Sequence, residues 1–326
     1  MIKDEEISVV VQGPIYQSTI AKEQYTRMCC DSIKKVMPNC ELILSTWEGS
    51  NVDGIKYDKI IFSKDPGGIE MILYGKNKMN NTNRMVLSTK KGIDACTRKY
   101  CLKMRSDMFI KSNKFLKAFE KYPDTEDSFL KHRILSLSAN YWKRAKNNFI
   151  FTISDWFQFG YKEDIEKLWC HSIQNLDELV SRDGKLYFED NLVAEAYIYV
   201  NFLLKNEKYS RFLKNDSGAI SLTEENIEVY KTTLAKYFII YTGKELKLNS
   251  YKLKNMNYVR RDFARASCFT HYDWIKLYNK YCNKSKMTLF MFRDKIDILL
   301  YRFTFNFLRI RFKGLYNLFK KIGGHR

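Results

Sequence analysis

The chain has 326 residues, 45% hydrophobic and 15% aromatic, with only 4 Pro and 14 Gly, which supplies ample core for a large domain and excludes a fibrous or disordered chain. Its formal charge of +19 points to an anionic partner (nucleic acid, a phosphorylated substrate or an anionic membrane surface), with a composition rich in Lys, Asn, Ile and Tyr as the bland alternative. The eight cysteines form no CxxC pair or zinc spacing, the start MIKDEE is acidic, and no run of eighteen apolar residues occurs. The expectation is a cytoplasmic chain with reduced, mostly core thiols.

Residues 7–11 (ISVVV) are a continuous β-branched run, the pattern of a buried parallel strand, closed by Gln12-Gly13-Pro14. Helical spacing over 18–36 stops before Pro38. A second strand, 41–46 (ELILST), ends at Thr46-Trp47, and a third, 59–62 (KIIF), is closed by Asp65-Pro66-Gly67-Gly68. This order opens a doubly wound α/β sheet. The first loop lacks GxGxxG, so no dinucleotide site of the Rossmann kind is expected.

The stretch 80–108 reads as a polar loop, a helix over 82–97, and a strand over 100–105 that runs into Arg105-Ser106-Asp107. The carboxyl end of a strand is where open α/β sheets bind ligands. Beyond it, the expectations are a strand at 133–138, a basic loop at 142–148, strand, turn and strand over 149–160 (FIFTISDWFQFG), and a helix at 164–171. An apolar helix over 185–206 opens on Glu189-Asp190. After residue 207 the rhythm weakens, with strand-like pieces at 219–222 and 237–241 and a basic, aromatic stretch at 251–282 containing His271.

The tail, 287–326, is distinct. Lys295, Arg302, Arg309, Lys313 and Lys320 fall nearly on one line at about 100° per residue, beside a wide aromatic and aliphatic face. An interfacial helix on an anionic leaflet is expected, which gives a peripheral address on the inner face of a bacterial inner membrane. A packed terminal helix or an oligomer interface is the alternative.

The segments VVVQGPIY, CDSIKKVMPNCELILSTWEG and NNTNRMVLSTKKGIDACTRKYCLKMRSDM, all within residues 7–110, resemble the WavE lipopolysaccharide synthesis family; SDWFQFG and FEDNL carry the likeness on more thinly. The resemblance implies a glycosyltransferase of surface-polysaccharide (lipopolysaccharide or capsule) assembly. It implies a single-domain A-type α/β fold, Rossmann-like, with a mostly parallel central sheet flanked by helices. The catalytic domain would be 1–250, with a donor half at about 1–110 and an acceptor half at about 111–250. A helical C-terminal region, 251–326, would follow. The implied partners are a nucleotide-sugar donor and a lipid-linked or core oligosaccharide acceptor.

Glycosyl transfer from such a donor needs its leaving diphosphate neutralised, by a divalent metal on a carboxylate or by Arg and Lys. It needs a positioned carboxylate as base if configuration inverts. Asp107, single where A-type enzymes carry Asp-x-Asp, is the candidate ligand for Mg²⁺ or Mn²⁺; Arg105, Arg84 and Lys91 are the metal-free alternative. Arg105 and Asp107 lie two apart on one strand face, so mere mutual pairing is the structural alternative. Gln12, Gly13 and Pro14 are candidates for the nucleotide-facing loop, with Thr46 and Trp47 opposite and Asn83 and Arg84 at a helix amino end suited to anions. Glu189 and Asp190 are candidate bases, with Asp155 as rival; Trp156 is a candidate sugar platform and Phe157 a core aromatic. His271 is either a late metal ligand or a structural histidine. The rival functions are a non-catalytic scaffold of a polysaccharide-assembly complex and a basic nucleic-acid-binding protein, for which no motif is present.

Overall fold

The computed structural model of the chain describes residues 1–17, 24–122, 124–125, 128–139, 141, 150–213, 220, 222–250, 268–283, 285, 296, 299, 311, 312 and 314. In chain order the elements are β1 (Ile7–Gln12), α1 (Tyr25–Val36), β2 (Glu41–Trp47), β3 (Lys59–Ser63), β4 (Ile69–Leu73), β5 (Lys76–Asn80), α2 (Thr82–Asp94), β6 (Tyr100–Arg105), β7 (Met108–Ile110) and α3 (Lys114–Glu120). They continue with β8 (Ile134–Leu137), β9 (Phe157–Tyr161), α4 (Lys162–Trp169), β10 (Ser181–Arg182), β11 (Lys185–Leu186), α5 (Ala194–Leu204), α6 (Glu207–Leu213), α7 (Glu224–Tyr237), β12 (Phe238–Tyr241), α8 (Gly243–Leu246), β13 (Leu248–Ser250) and α9 (His271–Tyr281).

The central sheet has the order β12-β8-β9-β6-β1-β2-β3. Its pairings are parallel except at β9, which is antiparallel to both β6 and β8. Every residue of β1 is buried, as a strand covered by helices on both faces must be. From β1 the chain winds outward through β2 to β3, and α2 then carries it back to β6 on the other side of β1. Right-handed crossovers therefore put α1 and α2 on opposite faces, and the strand order reverses between β1 and β6. At Gly92, α2 comes so close to the sheet that an added Cβ would lie 2.3 Å from a Val10 methyl.

Strands from both proposed halves join this sheet, and one hydrophobic cluster runs through Val10, Leu102, Phe159 and Ile240. Six of the eight cysteines are buried, as expected of core thiols. Among the described residues no helix is long and apolar enough to cross a membrane.

Three stretches depart from the expected elements. Residues 69–80 form the hairpin β4–β5, whose turn residues Tyr74 and Gly75 both have positive φ, the requirement of a type I′ turn. Residues 185–206 are not one helix: Asp183-Gly184, again with positive φ at both, closes the hairpin β10–β11, and α5 begins only at Ala194. The hairpin takes Lys185 and Leu186 into β11, and Glu189 and Asp190 stand in the turn that follows rather than in a first helical turn. In 149–160 only the second strand, β9, forms. The basic loop 142–148, two of the four residues 219–222, residues 251–267 and nearly all of the tail lie outside the described residues.

Candidate active site

The strand order reverses at the carboxyl ends of β1 and β6, the place where open α/β sheets bind ligands, and the two ends are tied together there. The Ser106 amide donates to the Gln12 carbonyl (3.0 Å) and the Ser106 hydroxyl to the Pro14 carbonyl (2.7 Å). Gly13 has φ +118°, and a Cβ on it would meet the Ser106 hydroxyl at 3.2 Å, so both the angle and the close approach call for glycine. The Gln12 side-chain oxygen accepts from Ser88 on α2 at 2.8 Å.

Arg105 then forms the centre of a charged triad. Its Nε and Nη2 donate to the two oxygens of Asp107 at 3.0 and 2.9 Å, a bidentate fork. Its Nη1 lies 3.7 Å from Asp155 Oδ2. The side chains are 18% exposed for Arg105, 9% for Asp155 and 1% for Asp107, so a ligand meets the guanidinium first and Asp107 stands behind it. Burial alone would lower the Arg105 pKa; the charges of Asp155 and Asp107 outweigh it and hold the guanidinium protonated more firmly than a free arginine. One face of that guanidinium covers the Trp156 ring, 4.7 Å from its centroid. The Tyr16 phenol completes the group; burial raises its pKa, against the opposing pull of Arg105.

Asp155 is delivered by the reversed strand. Because β9 runs antiparallel to β6, the loop before Phe157 lies at the carboxyl edge, and the Arg105 amide donates to the Trp156 carbonyl at 3.1 Å. Gln158 Nε2 donates to the Ser154 carbonyl at 2.8 Å, and its Oε1 accepts from Trp169 Nε1. Beneath the loop, the fully buried Lys103 donates to the Asp155 carbonyl and lies 4.5 Å from the Trp169 ring. Burial drives the Lys103 pKa down to about 7, partly offset by Asp155. With the loop held this way, Asp155 Oδ1 is buried and has no hydrogen-bond partner among the described residues.

The remaining candidates are placed as follows. Thr46 is buried, 3.4 Å from the Ser50 hydroxyl, and Trp47 is partly buried at the end of β2. The Asn83 side chain is bonded both ways to the Gln174 backbone (3.1 and 2.7 Å), which makes it a strut between α2 and the loop after α4. Arg84 forks onto Asp65 at 2.8 and 2.7 Å. Lys91 lies nine residues along α2 from its first residue, about 13 Å away at the helical rise, and so towards the other edge of the sheet. Asp190 pairs with Arg182 at 3.4 Å, and its turn runs beside β4, where the Phe188 amide donates to the Ile72 carbonyl. That turn flanks the hairpin leaving the carboxyl end of β3, away from the triad's own contacts. Phe157 is core.

His271 is structural. Its Nδ1 bonds the Ile240 carbonyl, it stacks on Tyr241, and burial drives its pKa down to about 3. A pocket of about 490 Å³ lies at the opposite edge, among Tyr100, Tyr161 and Arg133, and contains none of these candidates.

The donor set does not fit a resident divalent metal. Both Asp107 oxygens already accept from the cationic Arg105, and among the described residues no three His, Cys, Asp or Glu side chains converge as ligands. The pairing of Arg105 with Asp107 was legible from their spacing. Tyr16, Ser88 and Ser106 carried no motif, whereas Lys103, a charge inside the strand YCLKMR, was a signal of a buried polar task.

A Rossmann-like sheet with a charged cluster at its switch point defines the class of this protein. Its family is also clear: residues 7–304 match the model described as WavE lipopolysaccharide synthesis, and the chain belongs to that family. No curated protein matches the chain. Among solved structures it is similar to a 4-diphosphocytidyl-2C-methyl-D-erythritol synthase from Anaerococcus prevotii (14% identity, 70% of this chain and 95% of that one, TM-score 0.32). It is also similar to a cytidylyltransferase from Leptospira borgpetersenii (10% identity, 87% and 99%, TM-score 0.32). At those scores neither bears on activity.

Proposed function

We propose that the chain transfers a sugar from a nucleotide-sugar donor to a lipid-linked or core oligosaccharide during lipopolysaccharide or related surface-polysaccharide synthesis. The family supports this, but the observation that carries it is the Asp107–Arg105–Asp155 triad at the carboxyl ends of β1 and β6, where open α/β sheets take ligands. The Gln12-Gly13-Pro14 turn and Thr46-Trp47 flank the same strand ends and are assigned to the nucleotide. Asp107 orients the guanidinium from behind. One positive and two negative charges suit the hydroxyl-rich sugar better than the diphosphate. Glu189 and Asp190, beside the β4–β5 hairpin, are the carboxylates assigned to the acceptor hydroxyl. The basic tail, 287–326, is assigned to the anionic inner leaflet, where a lipid-linked acceptor would be met; of its described residues Ile296, Leu299 and Phe312 are each about half exposed.

The test is a thermal-shift screen with UDP-, GDP-, CMP- and dTDP-sugars, with and without Mn²⁺, followed by hydrolysis assays on any that stabilise. Stabilisation by one nucleotide class and turnover of that donor are expected; a flat response to all of them would remove the reading. A non-catalytic scaffold is the second reading, favoured by the complete pairing of Arg105 with Asp107, and it predicts binding without turnover.

A further inference from the structure

We infer that Asp155 reads a hydroxyl group of the bound nucleotide sugar, its unpartnered Oδ1 accepting the hydrogen bond while the neighbouring Arg105 donates to an adjacent ligand oxygen. This rests on the glycosyl-transfer reading and assigns a specificity residue within it.

Three observations converge on Asp155. A buried carboxylate oxygen without a donor is costly, and native structures rarely leave one so unless a ligand or water supplies the donor. Here Oδ2 faces Arg105 at 3.7 Å while Oδ1 is buried and has no partner among the described residues. The backbone that carries it is over-determined: Lys103 holds the Asp155 carbonyl, the Arg105 amide holds the Trp156 carbonyl, and Gln158 holds the Ser154 carbonyl. Such bracing suits a group that must be held in place for a ligand rather than one that swings. Finally, the triad's charges sum to one negative, so a phosphate is disfavoured at Oδ1 and a neutral donor favoured. A carboxylate acceptor, a guanidinium donor and an indole side by side form the set that a sugar ring satisfies, with its hydroxyls both donating and accepting.

A hydroxyl of this kind belongs to two parts of the donor, the nucleotide's ribose and the transferred sugar, and calorimetric titration separates them. The probes are the nucleotide sugar that gives the largest thermal shift, its nucleoside diphosphate, and a deoxy analogue of each. Asp155→Ala, checked for fold by circular dichroism, should weaken the nucleotide sugar by about 10- to 100-fold. If the nucleoside diphosphate weakens equally, the hydroxyl is the ribose's; if it does not, the hydroxyl is on the transferred sugar, and both results support the inference. Should Asp155→Ala fail to fold, Asp155→Asn replaces it, and wild type should discriminate against one deoxy analogue more strongly than the variant does. Binding of both probes by a folded variant within about twofold of wild type or tighter, or no discrimination by wild type against any deoxy analogue, would overturn the assignment. If wild type binds no nucleotide at all, the glycosyl-transfer reading falls and this one falls with it.

Discussion

Arg105 and Asp107 are two residues apart and fully engaged with each other: both carboxylate oxygens accept from one guanidinium, at 3.0 and 2.9 Å, with the carboxylate 1% exposed behind it. Asp107 is thereby the holder of Arg105, and its loss has a structural as well as a chemical consequence.

Without Asp107, Arg105 loses both hydrogen bonds of its fork and keeps only its 3.7 Å contact with Asp155. Asp107→Ala is expected to lower stability by about 1.5–3 kcal/mol, and Asp107→Asn by less, in urea unfolding. Transfer should fall roughly 100-fold in the Asn variant because the guanidinium loses its orientation. Unchanged stability and turnover in Asp107→Asn would refute the bracing role.

Since both Asp107 oxygens already accept from Arg105 and no three His, Cys, Asp or Glu side chains converge among the described residues, nucleotide-sugar binding should not depend on a resident metal. Excess EDTA should leave the thermal shift with the donor unchanged. A shift that disappears with EDTA and returns with Mn²⁺ would show that ligand binding rebuilds the triad around an ion.

Lys103 gives a signed pH dependence. Its folded pKa is about 7 against an ordinary 10.5, so between those values the unfolded chain holds a proton that the folded chain has released. Stability therefore rises with pH across that window. Lys103→Met lacks the slope; from pH 7 to pH 9 the stability of wild type relative to this variant should rise by about 2 kcal/mol. Parallel urea curves at the two pH values would contradict a buried, deprotonating lysine.

Glu41 at the start of β2 gives a slope of the same sign in a second, acidic window. Burial alone would raise its pKa, but Lys59, Ser8 and Thr97 all contact the carboxylate and together hold it at about 2 against 4.5. Its contribution is fully present above about pH 4.5 and is lost as pH falls through about 2. Glu41→Gln should cost about 2 kcal/mol at pH 7 and progressively less in acid, as read from thermal melts along a pH series.

Deleting 287–326 should abolish co-sedimentation with vesicles containing phosphatidylglycerol while leaving the nucleotide-sugar thermal shift intact. Equal sedimentation of the truncated and full chains would assign the tail another partner.

Much of the sheet was legible because its signals are local. The runs ISVVV and ELILST are strands because continuous β-branched and aliphatic segments need cover on both faces, KIIF forms the partly buried edge strand, and the helix from Thr82 follows from its spacing. From those alone, Arg105-Ser106-Asp107 falls at a carboxyl edge beside Gln12-Gly13-Pro14, and that placement survives in the fold. The turn at Asp183-Gly184 was also written locally, in residues that accept positive φ, yet the apolar run after Leu186 masked it, while Tyr74 at φ 50° gave no such signal.

What the tertiary structure decided was partnership. Asp155 reaches Arg105, 50 residues earlier in the chain, only because β9 enters the sheet reversed between β6 and β8 and brings its leading loop to the carboxyl edge. Asn83 and Arg84 look free at a helix amino end in the sequence, but Gln174 and Asp65 engage them in the fold. No local pattern encodes such matches, since a charge's partner is chosen by which strands become neighbours. The lone carboxylate of the sequence thus becomes one of two around a single guanidinium, a pairing set by which strands pack side by side.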